Sequence, residues 1–491
     1  MPSSPVAACP LCVDLDGTLV KSDTLVDSVL VLARQHPALL LQLPGWIAQG
    51  KAALKRHVTA AVQLDVAHLP YNRELLQYLE QQHATGRPLY LATAADTALA
   101  ERIAAHLGLF TGVLASDGTL NLAGKNKFAA FQSRFGEHFT YIGNALPDAS
   151  VLSHSVEPMV ANPTSSLRAA LRKANVTPIR TFLDAPSPLR AWLKAIRLHQ
   201  WAKNTLIFLP LLLAHAWSAG PLVGALIAFI SFGLCASATY IVNDLLDLEA
   251  DRRHLRKRRR PFAAGDLSAL SGVAVVILFL LTSLALAILL PHVVASISGP
   301  LGRPYYFLEW LTIYAVSTSA YSFWLKRMVL VDVILLSGLY TIRILAGSAA
   351  TGVAVSAWLA GFSIFFFLSL AFVKRFAELE GLRQRESAPT QIQGRGYHIT
   401  DIEQLRAFGS ASGYASVVVL TLYISNVSAV ELYSHPNRLW LLVPVLLLWI
   451  SRLWLQASRG QLDEDPVVYA ITDRRSLLLG ILVVLVVLIS L

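Results

Sequence analysis

After Trp201 the chain is dominated by apolar runs of membrane-spanning length joined by short arginine-rich loops, and this pattern restricts its fold most severely. In hydrocarbon every backbone N–H and C=O must find a partner within the segment, so such runs have to be helices. Allowing the length a bilayer requires, about nine spans are expected, near 204–217, 222–244, 268–290, 306–324, 329–348, 355–373, 411–430, 438–455 and 476–491. Loops after the even-numbered spans carry Arg252, Arg253, the run Arg256–Arg260, Lys326, Arg327, Lys374, Arg375, Arg383, Arg385, Arg395, Arg406, Arg459, Arg474 and Arg475. Loops after odd-numbered spans offer little beyond Arg303 and Arg438. The positive-inside rule then puts the even loops and the amino-terminal region in the cytoplasm of a prokaryote, around its inner membrane.

Composition agrees. Of 491 residues, 55% are apolar and only 15% charged, too few charges for an ordinary soluble enzyme. The net charge of +10 sits largely in short loops, so it reads as membrane topology, and no nucleic-acid partner is expected. Met1 to Pro10 lacks a charged start followed by an apolar core, so no signal peptide is expected.

Residues up to about 183 have the alternating pattern of an α/β sheet. Strands are expected at Leu11–Val13, Pro88–Ala92, Phe139–Ile142 and Val160–Ala161. Helical stretches run from Thr24 to about Leu79, broken at Pro37, Pro44 and Pro70, and from Ala95 to Leu107, closed by Gly108. Cys9 and Cys12 form a C-x-x-C, but Cys12 lies in the apolar strand and no second ligand pair exists, so a structural reading is preferred over a metal or redox one. Residues 184–200 read as a Pro/Asp/Ser linker and an interfacial helix, and 201–491 as an all-α polytopic membrane bundle.

Asn243, Asp244, Asp247 and Asp251 lie where the second span meets the loop Lys257-Arg-Arg-Arg-Pro261. On a continuous helix Asn243, Asp247 and Asp251 share one face, with Asp244 beside it. Three carboxylates at the mouth of a membrane helix repel one another unless a cation sits between them. Hard oxygen donors of this kind suit Mg²⁺, which bridges carboxylates to diphosphate oxygens, while Lys257 and Arg258 can grip the outer phosphate oxygens. Lys203, Asn204, Tyr321, Lys326, Asp332, Arg343, Lys374 and Glu378 fall at or near the same side of the membrane. Asp332 and Arg343 share a helix face, as a cavity lining or a structural pair, and Lys374 with Glu378 either belongs to the same site or forms an ordinary i, i+4 surface pair.

At Asn243-Asp-Leu-Leu-Asp247-Leu-Glu-Ala-Asp251, Lys257–Pro261 and Gly265 the chain resembles the UbiA superfamily of intramembrane prenyltransferases, over roughly residues 190–491. That resemblance implies a nine-helix bundle in which Asn243, Asp244, Asp247 and Asp251 hold Mg²⁺ and a diphosphate. The second Asp-rich motif of the aromatic prenyltransferases is missing. Lys374-Arg-Phe-Ala-Glu378-Leu, with Gln200-Trp-Ala-Lys-Asn204, is more similar to the polyprenyl-phosphate phosphoribosyltransferase branch, with Phe376 in place of that branch's Tyr. It implies transfer of 5-phosphoribose from phosphoribosyl diphosphate to a polyprenyl phosphate. Lys203, Lys326, Arg343 and Lys374 are candidates for the acceptor phosphate or the ribose 5-phosphate. Two other readings stand beside it: prenyl transfer from a prenyl diphosphate to an aromatic acceptor, and a transporter or lipid-binding scaffold.

Asp14-Leu-Asp16-Gly-Thr18, Thr93, Lys127 and Gly143-Asn144-x-x-x-Asp148 occur in the order of the four motifs of the haloacid-dehalogenase (HAD) superfamily. The resemblance covers about residues 8–180 and implies a Rossmann-like sheet with a small helical cap. By that resemblance Asp14 is the phosphoryl nucleophile, Asp16 the general acid/base, and Thr93 and Lys127 phosphate ligands. Mg²⁺ would use Asp14, the Asp16 carbonyl and Asp148. Asn144 replaces the usual Asp and removes one negative charge, leaving an active phosphatase and a structural remnant as alternatives.

Overall fold

The structure, a computed structural model, describes residues 9–384, 395–425, 433–462 and 466–491. Arg385, the first eight residues and the end of the run expected at 411–430 lie outside the described residues. The chain divides into two compact units, Met1–Arg197 with Tyr240–Ile277, and Leu198–Thr239 with Leu278–Leu491. The acidic segment after the second span therefore packs with the amino-terminal unit, where sequence placed the divisions at 183 and 200.

In the first unit, six parallel strands form one sheet: β1 Leu11–Val13, β2 Leu89–Asp96, β3 Gly112–Ser116, β4 Thr140–Gly143, β5 Pro158–Ala161 and β6 Arg180–Phe182. Their order is β3-β2-β1-β4-β5-β6. Leu11 faces Leu89 on one side and Thr140 on the other, so β1 is central. Alternation along β1 sends Leu11 and Val13 into one apolar layer with Leu75, Leu91 and Ile103, and Cys12 into the opposite layer with Phe131, Phe139 and Tyr141. Burial pushes the Cys12 thiol up to about 12, so it stays protonated. Chain order reverses between β1 and β4, and the crevice beyond the strand ends at such a point is where α/β sheets bind ligands.

β3 and β6 were not expected. β3 is five residues, mostly half-buried, and β6 is three residues with Arg180 and Thr181 exposed, so neither carries an apolar run long enough to register. The stretch after Thr24 breaks much as its prolines require: Thr24–Gln35, Pro37–Gln42, Leu43–Ala48 and Lys51–Ala61, with Pro37 and Pro44 each in the first turn of a new segment. Gly50, at φ 102°, makes the break that sequence did not mark. Asp184 is tied to the sheet unit, its carboxylate accepting from Arg73 N and its N–H donating to Asn162. The helix Pro188–Ile196 follows, with Ser187 as its N-cap.

Among the described residues six helices are long and apolar enough to cross a membrane: Ala219–Leu246, Ala269–Ser298, Val331–Thr351, Ala357–Arg383, Ile399–Ile424 and Pro436–Ser458. The chain is a polytopic membrane protein. Of the other three expected runs, one is broken and two form helices that fall short of that length or apolarity. The run at 204–217 becomes a 3₁₀ segment, Leu198–Phe208, and a single α turn with Pro210 at its start, Leu209–Leu213. Tyr306–Phe323 is an 18-residue helix rich in Ser, Thr and Tyr, and Arg474–Ser490 has 17 residues.

Within the second unit Phe367, Phe372, Phe376, Leu405, Val417, Ile450 and Trp454 form the principal core. Small residues set the close approaches. A Cβ on Gly347 would lie 2.0 Å from the Ile207 carbonyl oxygen, whereas one on Gly338 of the same helix would meet nothing within 4 Å. Replacing Gly347 by Ala should therefore cost about 1–3 kcal/mol of stability through overpacking. Gly338→Ala should be neutral or slightly stabilising, and paired thermal denaturation curves of the two variants in detergent check both.

Candidate active site

Three polar centres stand out. The first follows the helix Ala219–Leu246. Asp247 leaves helical geometry at φ −93°, ψ 12°, and the helix Leu248–Arg253 resumes behind it. The i to i+4 bonds persist through the break, Asp247 N to Asn243 O at 2.9 Å and Asp251 N to Asp247 O at 2.8 Å. Asp244 is 3% exposed and Asp251 2%. Arg260 donates Nη1 to both, at 3.1 Å to Asp244 and 2.6 Å to Asp251, so two carboxylates converge on one cationic centre. Arg197 donates to Asp244 at 2.5 Å and lies over the Tyr240 ring. Asp247 pairs with Arg34 at 3.2 Å. Burial raises the Asp251 pKa, against the opposing pull of Arg260.

The expected phosphate-gripping residues Lys257 and Arg258 are exposed on a 3₁₀ turn, while Arg260 and Arg197 are the ones that reach the acids. Asn243 is half-buried on the helix that carries Asp244. Among the described residues no three His, Cys, Asp or Glu side chains are gathered as a metal cage. The donor types nevertheless suit Mg²⁺: the buried carboxylates Asp244 and Asp251 already share one cation, Arg260.

The second centre lies in the second unit. Asp332 is fully buried and accepts from Arg375 Nε at 2.7 Å and from the Tyr397 hydroxyl. Arg375, also fully buried, donates to Glu378 and, at 3.3 Å, to the Tyr321 hydroxyl. Arg395 lies 3.6 Å from Asp332 and donates to Tyr321 at 3.4 Å. Arg343 does not pair with Asp332. Its guanidinium donates to Asn204 at 2.9 Å, Leu339 O at 2.6 Å and Tyr314 at 3.1 Å. Glu378 pairs with Arg375 at i−3. Lys203 sits over the Tyr340 ring, and Lys326 is on the short turn Leu325–Arg327. Sequence reasoning underrated Arg375 and Tyr397: Arg375 lies in the motif that suggested the branch and Tyr397 beyond it, and nothing in their spacing pointed to Asp332.

The third centre is at the carboxyl edge of the sheet. Lys127 Nζ donates to Asp14 at 2.8 Å and to Tyr141 at 2.8 Å, and lies 3.6 Å from Asp148. Asp148 accepts from Tyr141 at 2.7 Å and from the Asn144 and Ala145 N–H groups at 3.1 and 3.0 Å. Asp16 accepts from Thr24 N at 2.7 Å, and the Thr93 hydroxyl from Ala95 N at 2.9 Å. Burial raises Asp14 to about 6 against the pull of Lys127, and burial with Asp23 nearby raises Asp16 to about 7. Gly17, at φ +74°, leaves room for the Asn144 amide, which a Cβ would meet at 2.0 Å. The donors suit Mg²⁺ at Asp14, with Asp148 held in place by its own hydrogen bonds. Lys55, from the helical insert, donates to Ala94 O at 2.6 Å and Asn121 at 2.9 Å. Neither Lys55 nor Tyr141 belongs to a motif, so spacing gave no signal for them.

The sequence matches the UbiA prenyltransferase family over residues 205–478. It is 37% identical to an uncharacterized protein, y4nM, of Sinorhizobium fredii, over 96% of this chain and 89% of that protein. It is 34% identical to the decaprenyl-phosphate phosphoribosyltransferase of Mycobacterium tuberculosis, over 42% of this chain and 66% of that protein. A HAD family hydrolase from Salmonella enterica is 15% identical, with a TM-score of 0.25, over 34% of this chain and 66% of that one.

Asp332 and Arg375 form an ion pair with no exposed surface on either side chain. Removing one partner strands the other charge, so Arg375→Ala should lose roughly 3–5 kcal/mol of stability. The double change Asp332→Asn with Arg375→Met should recover much of it, read as unfolding midpoints of the purified membrane protein.

Proposed function

Because the chain belongs to the UbiA prenyltransferase family, we propose that it transfers 5-phosphoribose from phosphoribosyl diphosphate to a polyprenyl phosphate, releasing diphosphate. The mycobacterial relative's name describes this class of transfer. The observation that carries the reading is the second centre: Arg375, on the helix Ala357–Arg383, and Arg395 beyond it gather around Asp332 and Glu378, where the sequence has no second Asp-rich motif. Cations so placed suit an anionic acceptor such as a phosphate, whereas an aromatic acceptor does not require them.

In this reading Asn243, Asp247 and Asp251, with Asp244 beside them, hold Mg²⁺, which when bound neutralises charge on the departing diphosphate. Arg260 and Arg197 hold Asp244 and Asp251 in place and carry positive charge to the leaving oxygens. A lipid phosphate is already ionised near neutral pH, so its oxygen attacks the ribose anomeric carbon with no strong base required. Lys203, Lys326, Arg343 and Lys374 are the candidates for holding the acceptor phosphate or the ribose 5-phosphate. The arginine-rich loops put this chemistry on the cytoplasmic face.

The sheet unit is the second half of the proposal. Asp14 attacks a phosphomonoester, Asp16 near its raised pKa supplies a proton to the leaving oxygen, and Lys127 holds the phosphoryl group. A fitting substrate is the 5-phosphate on the lipid-linked ribose, because fusion raises its effective concentration.

Membranes containing the protein should incorporate label into lipid from labelled phosphoribosyl diphosphate and not from labelled prenyl diphosphate with an aromatic acid. Label from the second donor alone would establish aromatic prenylation instead. Asp251→Asn should lower incorporation by about 100-fold or more. Asp14→Asn should leave incorporation intact while the lipid product keeps its 5-phosphate; an unchanged product would remove the phosphatase role.

A further inference from the structure

The helix Thr24–Gln35, which begins eight residues after Asp16, also reaches the acidic segment. Asp27 and Arg34 are seven residues apart, two helical turns, and so share one face. Asp27 Oδ2 pairs with Arg252 Nη1 at 2.8 Å, both side chains under 5% exposed. Ser22 closes this contact, donating to Asp27 at 2.6 Å and accepting from Arg252 at 3.0 Å, while Arg252 Nε donates to Ala263 O at 3.2 Å. Two turns on, Arg34 lies 3.2 Å from Asp247. The helix is thus pinned at a buried point, and its far end delivers a guanidinium to the acidic segment. Lys21 to Asp266 at 2.8 Å and Arg253 to Asp65 at 2.6 Å hold the surrounding surfaces. Arg34, Leu30 and Val31 line a cleft of about 110 Å³ with Asp247, Glu249 and Arg253.

We propose that Arg34, a residue of the α/β fold, is a diphosphate-binding residue of the membrane transferase centre. The proposal rests on the diphosphate reading above. Arg34 pairs with Asp247. Were Asp247 to ligate Mg²⁺, the metal would neutralise that carboxylate, and Arg34 would be able to donate its parallel N–H groups to diphosphate oxygens. Glu249 and Asp65 on the same surface are occupied by Arg253, which leaves Arg34 to the incoming anion. The fused domain then contributes a cation to transfer as well as any hydrolysis of its own.

The Arg34–Asp247 pair is about one-third exposed on each side, so it adds little to folding and its loss reports on the site. Full-length protein in detergent is titrated calorimetrically with inorganic diphosphate at saturating Mg²⁺. Arg34→Gln should weaken binding about tenfold with an unchanged unfolding midpoint, the loss of one charge-assisted contact. Arg34→Lys should restore most of it. Asp247→Asn separates the two levels of the argument. If it abolishes binding while Arg34→Gln binds within twofold of the parent, the role of Arg34 is overturned and the diphosphate reading stands. Tighter binding by Arg34→Gln also overturns the proposal, since it makes Arg34 a competitor. If Asp247→Asn binds as the parent does, the diphosphate reading falls and this proposal with it.

Discussion

A carboxylate withdrawn from water is costly unless a cation or hydrogen-bond donors meet it, and this constraint shapes the polar centres of the described residues. Asp244 and Asp251 meet it through Arg260 and Arg197, Asp332 through Arg375, Asp27 through Arg252, and Asp14 through Lys127. In all but the last the partner is arginine. Its guanidinium can serve two acceptors at once: Arg260 donates from Nη1 to both Asp244 and Asp251, and Arg252 divides its two terminal nitrogens between Asp27 and Ser22. Lys127, a point charge, instead sits against Asp14 and Tyr141 and within 3.6 Å of Asp148.

Much of this was legible in the sequence where chemistry is local. Six of the expected apolar runs have helices of bilayer length, and three of the four short motifs of the amino-terminal unit fall at or beside the carboxyl ends of β1, β2 and β4, with the fourth, Lys127, bonded to Asp14. The acidic segment also stood out, because carboxylates are rare at the end of an apolar run. Pairing was the part that sequence concealed. Asp332 and Arg343 share a helix face, yet eleven residues span about 16 Å of helix, too far for a contact. Arg343 therefore satisfies itself deeper in the bundle on Asn204 and Tyr314, and Asp332 takes Arg375 from another helix.

The basic loop shows the same limit at shorter range. Every residue from Arg256 to Arg260 is cationic, so composition cannot say which one turns inward. The tight turn Lys257–Arg259 decides it: its three side chains are exposed, and Arg260, extended at φ −68°, ψ 144°, is the first that can point back at Asp244 and Asp251. Likewise β3 and β6 were hidden because a short strand at a sheet edge needs no apolar run, and Lys55 because its role comes from the insert's placement over β2.

Charge balance carries the argument one step further. Asp244, Asp247 and Asp251 bring three negative charges, and Arg34, Arg197 and Arg260 three positive ones. A neutral cluster with two of its acids nearly dry gains little from a dication alone, which would leave excess positive charge at low dielectric, and little from a diphosphate alone, which would leave excess negative charge. Together the two nearly cancel. On the diphosphate reading the centre is built to accept cation and anion as a pair, and the arginines that hold the acids in the meantime are the groups already placed to meet the anion.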